Sequence, residues 1–209
     1  MSCDLSQGRQ RPCKDSVGGL KAVYFINYGE TNYSPVMNTT SGTEDNVAAI
    51  GTIANCFRYD LKGNSNLEQT IVSSTDTGGT FFEQVLTLVL PKLTAKDHKQ
   101  LKLLSFGRPH IIIKDNNDNY FVAGLEHGLD VTGGTISSGS AMGDLSGYTL
   151  TLTGGERAPA NFCDIASETD TALNFSNNGG TEVVVTVTPG AAADVDVDDN
   201  QAGIPGGDN

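Results

Sequence analysis

Asp115, Asn117 and Asn119 follow the i, i+2, i+4 spacing that opens a calcium-binding loop. Glu126 falls at the twelfth position, where such a loop places its bidentate carboxylate. Tyr120 stands where the central glycine belongs, and the following YFVAG reads as a strand rather than a helix. The spacing therefore predicts an Asn/Asp turn between two strands instead of a cation site. His98, His110 and His127 share no metal-ligand spacing and have polar or turn neighbours, so all three are expected at the surface. Ser137, Ser138 and Ser140 lie in the Gly-rich run GGTISSGSAMG, which has neither a G-x-S-x-G elbow nor the lysine of a phosphate-binding loop. Asp194, Asp196, Asp198 and Asp199 have no folded cage and would gather cations only as counterions. Cys3, Cys13, Cys56 and Cys163 match no zinc pattern. A Cys3–Cys13 bridge is geometrically open, while Cys56 and Cys163, beside Phe57 and Phe162, read as small core hydrophobes. No catalytic residue, metal ligand or cofactor is expected, and the chain does not read as an enzyme.

The elements around these residues read as strands, turns and one helix. Residues 1–19 are polar and aperiodic and read as an extended N-terminal arm. LKAVYFINY, from Leu20 to Tyr28, is the first strand, with Ala22, Tyr24, Ile26 and Tyr28 on one face and Val23 and Phe25 on the other. Gly29–Asn46 is a loop with room for a short extended piece. Strands are expected near Ile50–Ile53 and Cys56–Leu61. Leu67–Pro91 reads as a long hairpin whose tip is Ser74, Thr75, Asp76, Thr77, Gly78 and Gly79. In its second arm Phe82, Leu86, Leu88 and Leu90 share a face on which Gln84 is the exception. The helix is expected over residues 94–106, with Thr94 as N-cap, Asp97 completing a capping box, Leu101 and Leu104 buried, and Gly107 as the C-terminal glycine before Pro109. Lys92, Lys96, Lys99 and Lys102 can form a basic stripe on its exterior, either a solvated face or a dock for an acidic neighbour. HIIIK-DNNDN-YFVAGLE is a second hairpin, GYTLTLTG a half-buried strand, and TEVVVTVTP the last strand. The domain then spans residues 20–189. The remaining acidic, Gly-rich residues 190–209 are of a composition that stays disordered in isolation.

With 209 residues the chain can bury a real core without a disulfide framework. No apolar run approaches the roughly 20 residues of a membrane helix. The N-terminus has no apolar stretch of a secretory signal, so synthesis and folding in a cytoplasm are expected. The net charge is −12, and beyond Lys114 the only basic residue is Arg157. That asymmetry argues against a nucleic-acid-binding surface, which needs clustered Lys and Arg. It suits a surface past which DNA slides, or simply solubility. Asp115, Asp118, Glu126, Asp130 and Asp144 are candidates for such a surface. With Glu156, Asp164, Glu168, Asp170 and Glu182 they are expected to find almost no basic partner within the chain, and so to be exposed or paired with a neighbouring copy.

The ordered set FFEQVLTLVLPKLTAKDHKQL, IIIKDNNDNYFVAGLEHG and GDLSGYTLTLTGGERAPANF, over Phe81–Phe162, resembles the tail tube proteins of bacteriophages and the inner-tube proteins of contractile injection systems. The D-x-x-G-Y-T-L-T-L-T-G-x-E ending is the most family-like piece. The resemblance implies a mainly β fold, an antiparallel β-sandwich or barrel with one packed α-helix, an extended N-terminal arm and an acidic C-terminal tail. It implies a structural virion protein, assembled in the host cytoplasm, whose copies form rings by extending their sheets. Rings would stack through the long hairpin and the terminal arms, enclosing an acidic lumen for DNA. Its partners would be further copies, other tail or neck proteins, and DNA that passes without specific binding; no membrane is implied. The arm and the acidic tail match no tube pattern. They leave a neck or collar ring, a capsid decoration protein, or a non-viral β-rich module for carbohydrate as alternatives.

Overall fold

The first strand has apolar residues at successive positions, so both of its faces must be covered. β1 (Leu20–Ile26) is central in its sheet, with Val23, Tyr24, Phe25 and Ile26 all buried. The computed structural model describes residues 8–9, 13–40, 43–76, 78–175 and 183–188, with the side chains of 183 and 184 excepted. The chain continues through β2 (Val36–Met37), β3 (Val47–Ala49), β4 (Cys56–Asp60), β5 (Asn66–Ser74) and β6 (Gly79–Pro91), then the helix α1 (Ala95–Leu104). There follow β7 (His110–Asp115), β8 (Tyr120–Ala123), β9 (Asp130–Ser137), β10 (Gly147–Glu156), β11 (Asn161–Phe162), β12 (Ile165–Thr169), β13 (Ala172–Phe175) and β14 (Val183–Thr188). The fold is mainly β with one helix, as expected from the sequence.

Eight strands form one sheet in the order β11-β8-β7-β1-β4-β14-β13-β12, and four form a second in the order β5-β6-β10-β9. The two edges of the large sheet, β11 and β12, are consecutive in the chain and only a short link apart. The sheet therefore has to curl until its ends approach each other. Within that closure Cys163 bridges to Val47, and Asp164 N–H donates to the Val47 carbonyl at 3.0 Å. One core fills the curl, built on Ala22, Tyr24, Ile26, Ile112, Val122, Phe175 and Val185. The other lies between the two sheets and beneath α1, built on Val23, Phe25, Leu86, Leu88, Leu101, Ile111, Ile113, Leu150 and Leu152. The split of β1 between Ala22, Tyr24 and Ile26 on one side and Val23 and Phe25 on the other follows the expected two faces.

Three departures have local causes. Ile50 and Ile53 are buried, but the segment between them is not a strand. Gly51 takes φ 90 there, and a Cβ would lie 1.9 Å from the Asn32 carbonyl oxygen, so the segment is a tight corner rather than a ladder. The helix keeps its predicted start: Thr94 Oγ1 accepts from Asp97 N–H at 3.0 Å and donates to the Asp97 carboxylate at 2.7 Å. Its end is different. Ser105 is the C-cap, and the Phe106 and Gly107 N–H groups close tightened turns onto Leu103 and Leu104, so Gly107 needs no left-handed backbone. Finally, β14 runs parallel to β4, whereas the other strand pairs among the described residues are antiparallel.

Candidate assembly surfaces

The long hairpin is present as read. β5 and β6 pair from Asn66↔Thr87 to Ser74↔Gly79, whereas β10 accompanies β6 only as far as Phe82. Two cross-strand pairs and the tip thus project past the sheet. Ser74, Thr75, Asp76, Gly78 and Gly79 are exposed; Thr77 lies outside the described residues. The projecting end carries exposed Val72 and Phe81, and Ile71 at its base is exposed too. On the opposite arm face Gln84 explains its own exception. It is buried, its side-chain oxygen accepts from Gly124 N–H at 2.9 Å, and its amide donates to the Ala158 carbonyl at 3.4 Å. An amide is needed there because a buried backbone N–H must find a partner.

The small sheet ends in two exposed strands, β5 of nine residues and β9 of eight, and among the described residues neither has a strand partner on its outer side. On the helix, Lys96, Lys99 and Lys102, with Lys92 just before it, are all exposed, and none is ion-paired among the described residues. Leu103 and Phe106 are exposed beside them, Phe106 by 83%.

The acidic candidates divide. Glu126, Asp130 and Asp144 are exposed. Asp144 accepts from the Ser140 and Ala141 N–H groups and the Ser140 hydroxyl, which hold its carboxyl below the usual range. Asp115 is half-buried and folds the turn that looked like a calcium loop. Its two oxygens accept from the backbone and side-chain N–H groups of Asn117 and Asn119, at 2.8–3.2 Å. Burial opposes its ionisation, but those bonds outweigh it and lower the carboxyl. Both oxygens are therefore committed to the chain itself. Asp118, at φ 60 in the same turn, pairs with Lys21 and Lys114, each at 3.2 Å.

That pairing overturns the expectation that the acids lack internal bases. The largest correction is Glu168 on β12, which reaches across the curl of the large sheet. It accepts from the hydroxyls of Tyr24 and of Tyr120, the latter at 2.5 Å, binds Lys114, and meets Arg58 at 3.3 Å. Burial alone would raise its pKa; the bonds from Lys114, Tyr120 and Tyr24 win and bring it to about 2. Burial and the Glu168 bond push Tyr120 up to about 12. Asp170 also meets Arg58, at 3.5 Å. Glu156 is buried, and the Glu126 and His127 N–H groups and His127 Nδ1 satisfy it at 3.1, 2.8 and 3.2 Å. Asp164 accepts from Asn38 and Asn46 at 2.7 and 2.8 Å. Glu182 and the aspartates of the tail lie outside the described residues.

Of the three histidines, His110 is not at the surface. It is buried between Tyr33, whose ring stacks on it nearly parallel with centroids 3.8 Å apart, and Tyr28, with Nδ1 on the Gly124 carbonyl. Burial lowers its pKa, so its neutral ring serves as packing. His127, Glu126 and Glu156 lie close enough to share an ion, and Glu156 Oε1 already accepts two backbone N–H bonds. Cys56 and Cys163 are buried as expected, and burial pushes the Cys56 thiol up to about 12. Cys3 lies outside the described residues. The sequence signal for Glu168 was slight: a tyrosine tip at Tyr24 on an otherwise apolar face has to meet a partner, yet nothing near residue 168 identifies that partner.

No family model, curated protein or solved structure matches this chain. The function is argued from the surfaces themselves.

Proposed function

We propose that the chain is a structural subunit of a bacteriophage tail tube, assembling side by side into rings that stack into a conduit for DNA. The observation that carries this reading is the pair of long exposed edges, β5 and β9, at opposite sides of one four-stranded sheet. Open edges are an aggregation hazard that stable monomers blunt or cover. Here β5 of one copy can pair with β9 of the next, a heterologous contact that closes into a ring. The hairpin end projecting past β10 supplies a stacking contact with its exposed Val72 and Phe81. Exposed Glu126, Asp130 and Asp144, with the net charge of −12, offer DNA no adhesive surface.

The location in the virion and assembly in the host cytoplasm belong to the same proposal, as do neck or other tail proteins as partners and the absence of catalysis. Negative-stain images and native mass spectra of concentrated protein test it. Stacked rings support the tube. Single rings move the assignment to a neck or collar. A strict monomer at every concentration refutes edge assembly. A DNA titration at low salt tests the conduit separately, and tight binding would exclude it.

A further inference from the structure

Glu156 is a buried carboxylate with no lysine or arginine on it. It ends β10 with its side chain 3% exposed, and among the described residues its ion-pair partner is His127. Burying a carboxylate is costly unless a cation or several hydrogen bonds offset it. Its two oxygens differ. Oε1 is held by the N–H groups of Glu126 and His127. Among the described residues Oε2 meets only His127 Nδ1, at 3.2 Å.

The link between β8 and β9 brings two more ligating side chains to that oxygen. Consecutive residues of a strand point to opposite faces, but Glu126 and His127 lie in a turn and converge. The turn is pinned at both ends. Gly124 N–H donates to Gln84 at 2.9 Å, Gly128 N–H to the Gly124 carbonyl at 3.2 Å, and Leu129 N–H to the Pro109 carbonyl at 3.0 Å. One ligating atom from each of Glu126, His127 and Glu156 lies within 4.8 Å of the other two. Ligand atoms at zinc-bond length around a tetrahedral ion stand about 3.4 Å apart. The 3.2 Å between His127 Nδ1 and Glu156 Oε2 already fits such an edge. The Glu126 side chain is exposed and can close the remainder by rotating about its own bonds.

We propose that Glu126, His127 and Glu156 form a binding site for one divalent transition-metal ion of the zinc class, ligated by His127 Nδ1, Glu156 Oε2 and the Glu126 carboxylate. The His127 side chain is 59% exposed, so the ring can carry its proton on Nε2 toward water while Nδ1 ligates. One imidazole nitrogen with two carboxylates favours zinc-class ions over Ca²⁺ and Mg²⁺, which take oxygen ligands. Three protein ligands leave a fourth position for water. The ion offsets the buried charge of Glu156 and ties the β8–β9 link to the end of β10. This stands whether or not the tube reading does.

The test is equilibrium dialysis of the full chain against Zn²⁺, with Ca²⁺ and Mg²⁺ in excess to occupy carboxylates that only gather counterions. The wild type should retain one zinc ion per chain. His127→Ala and Glu126→Gln each alter an exposed side chain and leave the buried Glu156 in place. Either should weaken binding at least tenfold, since loss of a mere supporting contact to a ligand already costs about 10–100-fold. Zinc should also shield His127 from acylation by diethyl pyrocarbonate while exposed His98 reacts as before. Absence of retained zinc in the wild type would overturn the proposal. So would wild-type affinity in either variant, which would put the ion elsewhere, on the thiols or the acidic tail. Equal shielding of His98 and His127 would overturn it as well.

Discussion

Replacing Glu168 with glutamine should loosen the closure of the large sheet by a measurable amount. In the wild type this one carboxylate meets two tyrosine hydroxyls, a lysine and an arginine, and its side chain is only 14% exposed. Its pKa falls from 4.5 to about 2 on folding. At about 1.4 kcal/mol per tenfold change that difference corresponds to about 3 kcal/mol. Glutamine retains one acceptor and the shape, so the expected loss is about 2–3 kcal/mol at pH 7. The pH dependence has a definite sign. A carboxyl whose pKa is depressed by folding stabilises above its unfolded value, and that contribution disappears as pH falls through the folded value. The gap between wild type and Glu168→Gln should therefore be full above pH 4.5 and close as pH approaches 2. Urea unfolding of both proteins at pH 7, 4.5 and 3 measures it. A loss below about 1 kcal/mol at neutral pH, or a gap that does not narrow on acidification, would refute the reasoning.

Gln84→Ala should cost about 1–3 kcal/mol, because the Gly124 N–H loses its only side-chain partner in a buried place; equilibrium urea unfolding checks this. Asp115→Ala should destabilise the β7–β8 turn by about 1–2 kcal/mol and speed amide exchange at Asn117 and Asn119, whose N–H groups it accepts. The hairpin residues 74–76 and 78–79 should exchange freely in dissolved subunits and become protected on assembly. Equal protection in both states, by hydrogen-exchange mass spectrometry, would count against a stacking role.

The strands that were legible in the sequence share one property: their partners lie nearby in the chain or their pattern is strongly periodic. The hairpins β5–β6 and β7–β8, the strand β10 and the cap of α1 are of this kind. Gln84 stood out because it broke an apolar row, and the row showed where it had to point. The meander β12–β14 was only partly legible. Its first two strands, IASET and ALNF, are short and polar on one side, and they are defined by pairing with each other and with β14, which alone of the three joins the distant β4. For the same reason the sequence did not reveal Glu168. Its ligands come from β1, β4, β7 and β8, and no local spacing encodes a contact between residue 24 and residue 168. His110 was misplaced because it follows the Arg108-Pro109 turn in sequence, whereas its ring lies between two tyrosines brought in from the loop after β1.

The parallel pairing of β14 with β4 also sets a timetable. Cys56 and its partner Val187 are separated by about 130 residues, so the free side of β4 has no strand to join until most of the chain has left the ribosome. At roughly 5–20 residues per second that interval lasts on the order of ten seconds. Throughout it a strand edge beside an incomplete apolar core is open to other nascent chains. Such a distant pairing also slows the final step of folding, since the entropy of closing the long loop is lost before the contact is gained. Many chains made at once should therefore aggregate through β4, and lowering their number, without slowing elongation, should raise the soluble yield.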